Sequence, residues 1–115
     1  MKNNVLAIDC GTQSLRALLF NASGQLLETV KIEYDPYSSP FPGWAEQDPR
    51  SWWDACGQTC QKLTASVSCT VRAVSVSGQA PSCVPVDRQG EPVRPAILWL
   101  DRRADPQAKR LSREF

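Results

Sequence analysis

The chain of 115 residues contains no histidine. Without an imidazole, these residues alone cannot form a Ser-His-Asp or a Cys-His nucleophilic site. The five cysteines are irregularly spaced and none forms a Cys-x-x-Cys pair, so a zinc site is not expected either. We expect buried or half-buried free thiols instead, as in a protein of a reducing compartment.

An excess of charge and a long apolar run are also missing. The 13 Lys and Arg residues nearly balance the 12 Asp and Glu residues, so no strong field draws the chain to nucleic acid or membrane. The first apolar run, at residues 5–8, is far too short for a signal-peptide core or a spanning helix. We therefore expect a cytoplasmic protein that binds neither nucleic acid nor membrane.

The order of the predicted elements favours an α/β fold. Apolar or alternating runs separated by turn residues predict a three-strand meander, and a helix and a further strand follow it. This order is that of the opening half of a ribonuclease-H-like unit. The prediction comprises strands at 5–8, 15–20, 25–33 and 71–77, an ordered loop at 34–49, a helix from 49 to about 67, extended segments at 82–86 and 96–100, and a helical pattern from 102 onward.

One apolar stripe is predicted for the first helix. Trp52, Cys56, Cys60 and Leu63 recur at helical spacing and would face the core. We interpret the tryptophan pair, Trp52 and Trp53, as core residues rather than as a ligand platform.

The turn between the first two strands is the most informative segment. Residues 9–16 read Asp-Cys-Gly-Thr-Gln-Ser-Leu-Arg. A carboxylate can hold Mg²⁺, a glycine lets the backbone approach a phosphate, and hydroxyls and a guanidinium donate to phosphate oxygens. The same residue types also suit an ordinary hairpin turn. The turn alone therefore leaves a phosphate loop and a plain hairpin both open.

Four segments in order along the chain resemble the FGGY family of carbohydrate kinases, with the xylulose-kinase-like subgroup as the nearest pattern. Residues 9–16 match the family's Asp-x-Gly-Thr-x-Ser-x-Arg loop, and residues 43–49 match its Gly-Trp-x-Glu-Gln-Asp-Pro segment. Residues 77–79 and the Trp-x-Asp-x-Arg pattern within 97–103 complete the set. The resemblance implies phosphorylation of a sugar or polyol hydroxyl by ATP with Mg²⁺. The site would lie in a cleft between two related domains of the actin and hexokinase type.

The resemblance also implies a role for individual residues. Asp9 would hold Mg²⁺ through water, and the rest of its loop would bind the ATP phosphates. The implied cofactor-binding residues are Asp9, Gly11, Thr12, Gln13, Ser14 and Arg16, and the implied sugar-binding residues are Gln79, Trp99 and Asp101. Simpler roles stay open for the second set: Gln79 in a turn, Trp99 in the core, and Asp101 as a helix cap. Residues 43–49 are interpreted as a structural signature.

The segment after residue 79 departs from the family's patterns. Xylulose kinases typically continue with Met-His-Gly and glycerol kinases with Arg-Glu, whereas this chain has Ala80, Pro81 and Ser82. Neither set of contacts is available, and proline has no backbone donor. This departure counts against glycerol and xylulose, and we expect a polyol or ketose of unassigned identity as the substrate.

Family members are several times longer than this chain. We therefore expect residues 1–115 to be the N-terminal part of the first, sugar-binding domain, with the second domain absent and the catalytic aspartate beyond Phe115. Such a piece is expected to be inactive alone, and its open strand edges favour self-association, with a homodimer as one outcome.

Two other functions share some of these features. One is an ATPase of the actin or Hsp70 type, which uses the same loop without a sugar. Residues 43–49 and 99–103 count against it. The other is a non-catalytic interaction module, in which residues 9–16 form a plain hairpin.

Overall fold

A computed structural model of the chain describes residues 3–68 and 70–114. Its residues form two compact units, one from the described residues up to Asp35 together with residues 50–79, the other from residues 36–49 together with those from Ala80 onward. The elements in chain order are β1 (Asn3–Cys10), β2 (Ser14–Asn21), β3 (Leu26–Glu33), β4 (Glu46–Gln47), α1 (Arg50–Ser66), β5 (Thr70–Ser77), β6 (Ala96–Ile97) and α2 (Asp105–Glu114).

The first unit is a four-stranded sheet with α1 on one face. The strand order is β3-β2-β1-β5, in which β1, β2 and β3 form an antiparallel meander and β5 runs parallel to β1. The predicted meander, helix and further strand are therefore confirmed. A parallel strand must be reached by a crossover, and α1 provides that connection.

The alternation of side chains along β1 and β2 separates a buried face from a more exposed one. Leu6 and Ile8 in β1, and Leu15 and Leu19 in β2, point into the core, where α1 packs against β2 and β3. Arg16, between two buried neighbours, points to the opposite face because successive strand side chains alternate. The hairpin therefore carries polar residues outward at the end where the loop lies.

The predicted stripe of α1 is confirmed in part: Leu63 is buried and Cys56 and Cys60 pack against the core, but the prediction missed Ala55 and Thr59. The buried positions are Ala55, Thr59 and Leu63, and Cys56 and Cys60 are only half-buried beside them. Small side chains at the first two of these positions let the helix approach the sheet closely, and the Thr59 hydroxyl donates to the Cys56 carbonyl within the helix at 3.0 Å. The stripe thus follows i, i+4, i+8.

The tryptophan pair is not a pair of core residues. Trp52 is half-buried, whereas Trp53 is 79% exposed, so the core prediction is wrong for Trp53. A helix turns by about 100° per residue, so neighbouring positions cannot both face the sheet squarely.

Free thiols are found at four positions. Cys10, Cys56 and Cys60 are half-buried as expected, whereas Cys83 is exposed. The fifth, Cys69, lies outside the described residues. Burial, followed by the neighbouring Cys60 thiol, raises the pKa of Cys56.

The second unit has little regular structure. β4 and β6 form a two-stranded antiparallel sheet, and isolated bridges join Cys83 to Ile97 and Val86 to Pro92. The extended segments predicted at 82–86 and 96–100 are thus mostly bridges and turns, and the loop predicted at 34–49 contains β4. The helix predicted from residue 102 begins at Asp105. Within residues 3–68 and 70–114, no helix is long and apolar enough to span a membrane.

Truncation of Leu63 tests the observed face of α1. We expect Leu63→Ala to lower the free energy of unfolding by about 2–5 kcal/mol, because it leaves a cavity in a packed core. The matched control is Trp53→Ala, a larger truncation on the exposed side of the same helix, which should cost no more than about 0.5 kcal/mol. Urea unfolding measures both, and equal losses would contradict the assignment of the buried face.

Candidate functional site

The loop between β1 and β2 brings a carboxylate and a guanidinium together on an exposed surface. Asp9 and Arg16 are cross-strand partners, and Arg16 Nη1 lies 3.5 Å from Asp9 Oδ2. Both side chains are about half exposed. An exposed pair of this kind contributes only about 0–1 kcal/mol. Breaking this ion pair therefore costs little, so the carboxylate is available to bind a cation and the guanidinium to bind an anion.

A tight backbone turn shapes this loop. The Gly11 N–H donates to the Ser14 carbonyl at 3.0 Å. A Cβ on Gly11 would lie 3.2 Å from that same oxygen, closer than ordinary van der Waals contact. Glycine is therefore the residue that lets the two ends of the turn approach each other.

The loop is braced by Tyr34 at the end of β3. The Tyr34 N–H donates to the Gln13 carbonyl at 3.0 Å, and its hydroxyl lies 3.6 Å from Cys10 Sγ. Burial, followed by the contact with Cys10, raises the pKa of the Tyr34 hydroxyl well above its usual range. The hydroxyl therefore stays neutral at physiological pH.

Gln79 joins the end of β5 to the same loop. Its Nε2 donates to the Gly11 carbonyl at 3.1 Å, and its Oε1 accepts from the Thr12 hydroxyl at 3.3 Å. This contact arises because β5 runs parallel to β1, with Asp9 opposite Ser77, so the carboxyl ends of both strands lie at one edge. Ligands of α/β sheets bind at that edge. The sequence placed Gln79 at a strand end but did not predict its contact with the loop.

In the second unit, a cluster of aromatic and charged side chains joins two of the motif segments. The Arg103 guanidinium lies 3.7 Å from the centre of the Trp44 ring, and its Nη2 donates to Glu46 Oε1 at 2.9 Å. Arg94 forms a second ion pair with the same Glu46 oxygen. A cation–π contact and paired charges thus occur in a unit that also buries the apolar residues Ala45, Ala96 and Leu98. We name the aromatic and charged side chains, with Asp101, the Trp44–Arg103 cluster.

Asp101 is the acidic centre of the cluster. Its Oδ1 accepts from the Arg103 backbone N–H and Nε, and its Oδ2 accepts from Arg103 Nη2 and the Ala45 N–H, at 2.7–2.9 Å. The Arg103 hydrogen bonds hold the pKa of Asp101 well below its usual range. Asp101 does not cap α2, which begins four residues later at Asp105.

Gly43 permits the close approach of the two motif segments. Its φ is +78°, a conformation that favours glycine. The Gly43 carbonyl accepts from the Arg102 N–H at 2.7 Å, and a Cβ on Gly43 would lie 3.4 Å from Arg102 Cβ. The structural role that the sequence indicated for residues 43–49 thus has specific contacts.

Trp99 is presented to the surface rather than to the core. Its side chain is 54% exposed, and its backbone N–H donates to Ser82 Oγ at 3.1 Å. A turn closed by the Asp101 N–H and the Leu98 carbonyl, 2.9 Å apart, carries it. The alternative of a core tryptophan is therefore excluded, and sugar binding by Trp99 stays a prediction.

The acid sensitivity of the fold tests the role of Asp101. A carboxylate with a lowered folded-state pKa stabilises the protein above its unfolded-state pKa of about 4, and this contribution is lost as the pH falls towards the folded value. We expect the free energy of unfolding to decline less steeply with acid in Asp101→Asn than in the unmodified chain. Urea unfolding across that pH range measures this.

The control for this experiment is Asp105→Asn. Asp105 accepts from Arg102 in an exposed pair that also lowers its pKa, but solvent screening makes such a pair weak. An Asp105 variant that altered the acid dependence as much as the Asp101 variant would contradict the buried role of Asp101.

Comparison with known proteins identifies the family. The N-terminal domain model of the FGGY family of carbohydrate kinases matches residues 4–115. A xylulose kinase of Streptomyces coelicolor is 40% identical over 96% of this chain and 22% of its own length. A glycerol kinase of Herminiimonas arsenicoxydans is 41% identical over 90% of this chain and 21% of its own length. The chain therefore spans about a fifth of the length of these relatives.

The fold agrees with the sequence relationship. The crystal structure of a xylulose kinase from Rhodospirillum rubrum superposes with a TM-score of 0.91 at 30% identity, over 97% of this chain and 23% of that one. The predicted ribonuclease-H-like α/β fold and the resemblance to xylulose kinases are confirmed, while a glycerol kinase matches equally well. The chain belongs to the FGGY family of carbohydrate kinases.

Proposed function

We propose that the chain forms part of the active site of a kinase that transfers a phosphoryl group from ATP to a hydroxyl of a sugar or polyol. The observation that carries this proposal is the phosphate-loop sequence at the β1–β2 turn, which Gln79 ties to the carboxyl edge of the sheet. Phosphoryl transfer depends mostly on positioning and charge neutralisation. A loop that is held in place by neighbouring strands and carries a carboxylate and a guanidinium is suited to positioning and to charge neutralisation.

The loop residues fit Mg²⁺ and ATP phosphates. Mg²⁺ keeps several waters and takes one or two carboxylates plus phosphate oxygens, which the half-exposed Asp9 carboxylate suits. Arg16 would donate to a phosphate once Asp9 turns to the metal. The proposed cofactor-binding residues are Asp9, Gly11, Thr12, Gln13, Ser14 and Arg16, and Asp9 is the proposed metal ligand.

The proposed sugar surface centres on Trp99, because an exposed ring can pack against the C–H face of a sugar. The family resemblance implies Gln79 and Asp101 as further sugar ligands, although both already have partners within their own units. Ser82 accepts a hydrogen bond from the Trp99 backbone N–H. The two residues before it, Ala80 and Pro81, have no side-chain donors for a sugar. The proposed substrate is accordingly a polyol or ketose that does not need the Met-His contacts typical of xylulose kinases or the Arg-Glu contacts typical of glycerol kinases.

We further propose that the chain is the N-terminal part of the first domain of a cytoplasmic enzyme. The catalytic aspartate and the second domain would then belong to the sequence that follows Phe115. An actin- or Hsp70-like ATPase is the second candidate, since it would use the same loop. The Trp44–Arg103 cluster favours the kinase, because it is built from the two motif segments that resemble sugar kinases.

Sugar dependence of ATP turnover separates the two candidates. We expect the full-length protein to release ADP only when a suitable polyol or ketose is added, and the 115-residue chain alone to show no turnover with any of them. Coupled ADP detection across a substrate panel measures this. ATP hydrolysis by the full-length protein that no sugar stimulates would favour the ATPase instead.

Removal of the loop charges tests the phosphate site in the chain itself. We expect weak binding of Mg·ATP, with a loss of about tenfold or more in Asp9→Ala/Arg16→Ala, because the metal ligand and a charge-assisted phosphate donor both disappear. Isothermal titration or equilibrium dialysis measures the affinity.

The matched control removes a second exposed ion pair. Arg102 and Asp105 form such a pair in the other unit, and Arg102→Ala/Asp105→Ala keeps the same net charge as the loop variant. It should bind Mg·ATP as the unmodified chain does. Equal affinities for all three proteins would show that the loop is a plain hairpin.

A further inference from the structure

Trp99 stands at the start of a short turn that is fixed at both ends. Its own N–H is bound to Ser82 Oγ, and the Asp101 N–H closes the turn on the Leu98 carbonyl. The Leu98 N–H in turn donates to the Ala45 carbonyl at 3.0 Å. The backbone that aims the exposed Trp99 ring is thus set by contacts made on either side of it.

The Asp101 carboxylate has little capacity left for a sugar. A carboxylate offers about four lone-pair sites, and four donors already occupy them at 2.7–2.9 Å. The side chain is only 2% exposed. A sugar hydroxyl that bound Asp101 would first have to displace one of these four donors, two of which belong to the positively charged Arg103 guanidinium.

Arg103 connects this carboxylate to the segment that carries Trp44. Its guanidinium packs on the Trp44 ring, and its Nη2 donates to both Asp101 and Glu46. Glu46 itself lies in β4, which pairs with β6 immediately before the Trp99 turn. One arginine therefore joins the end of the turn to the strand pair beneath it.

We propose that Asp101 and Arg103 are positioning residues that set the orientation of Trp99 towards the sugar, and that Asp101 is not itself a sugar ligand. The inference rests on the proposed kinase function. It revises the role that the sequence resemblance implied for Asp101 and gives a role to Arg103, which the sequence indicated only as part of the Trp-x-Asp-x-Arg pattern.

A double-mutant cycle in the full-length enzyme separates positioning from direct contact. Asp101→Asn preserves size but loses one acceptor, so the KM for the sugar should rise about tenfold, while kcat and the KM for ATP stay within about twofold. Trp99→Ala should raise the same KM by at least as much. If Asp101 acts through Trp99, adding Asp101→Asn to Trp99→Ala should change the KM by less than about twofold, because coupled residues are not additive.

A conservative change at Arg103 gives a second, independent measurement. Arg103→Lys keeps the charge but loses the fork that binds Asp101 in two places and the flat face that packs on Trp44. We expect it to raise the sugar KM as Asp101→Asn does, again with no further rise in the Trp99→Ala background. Arg102→Lys, one residue away in an exposed pair, is the control and should leave all three constants unchanged.

The possible outcomes are distinct. If the increases in sugar KM caused by Asp101→Asn and by Trp99→Ala multiply in the double variant, Asp101 contacts the sugar directly. That result would overturn the inference but not the proposed function. A Trp99→Ala enzyme with an unchanged sugar KM would also overturn it. An unmodified full-length protein with no sugar-dependent turnover would instead overturn the proposed function, and the inference with it.

Discussion

The register of the β1–β2 hairpin is the constraint on which the first unit depends. Side chains alternate along a strand, so the pairing that sends Leu6 and Leu19 into the core also sends Asp9 and Arg16 to the open face. A slip of one residue would move the charged pair inside and the leucines out. Burial of the apolar face under α1 therefore fixes the geometry of the polar loop, although no residue of α1 belongs to the proposed site.

Support for the loop comes from two neighbouring strands as well as from its own hairpin. Tyr34 binds it from the end of β3, and Gln79 binds it from the end of β5. Both contacts use backbone carbonyls of the loop and leave Asp9 and Arg16 half exposed. Such bracing reduces the conformational entropy that a phosphate would otherwise have to remove on binding. In the second unit, the Trp44–Arg103 cluster joins two motif segments beside the short β4–β6 sheet.

Periodicity and turn residues were sufficient to predict the meander, the helix and the further strand that follows it. They missed two buried positions of α1, Ala55 and Thr59, because these small residues give no strong apolar signal. Two-residue strands such as β4 have no period that a sequence can show. The contacts of Gln79 with the loop and of Arg103 with Trp44 join residues about 60 positions apart. Motif matching pointed to those segments, but only the tertiary structure pairs them.

The central claim is that the loop at residues 9–16 holds the phosphates of Mg·ATP. NMR titration of the 115-residue chain tests it most directly, since amide shifts report the site residue by residue. The largest shifts should fall on the backbone amides of residues 11–14 and on the side-chain amide of Gln79, which is bonded to that turn. Shifts centred on the exposed basic residues of α2, with residues 11–14 unmoved, would contradict it.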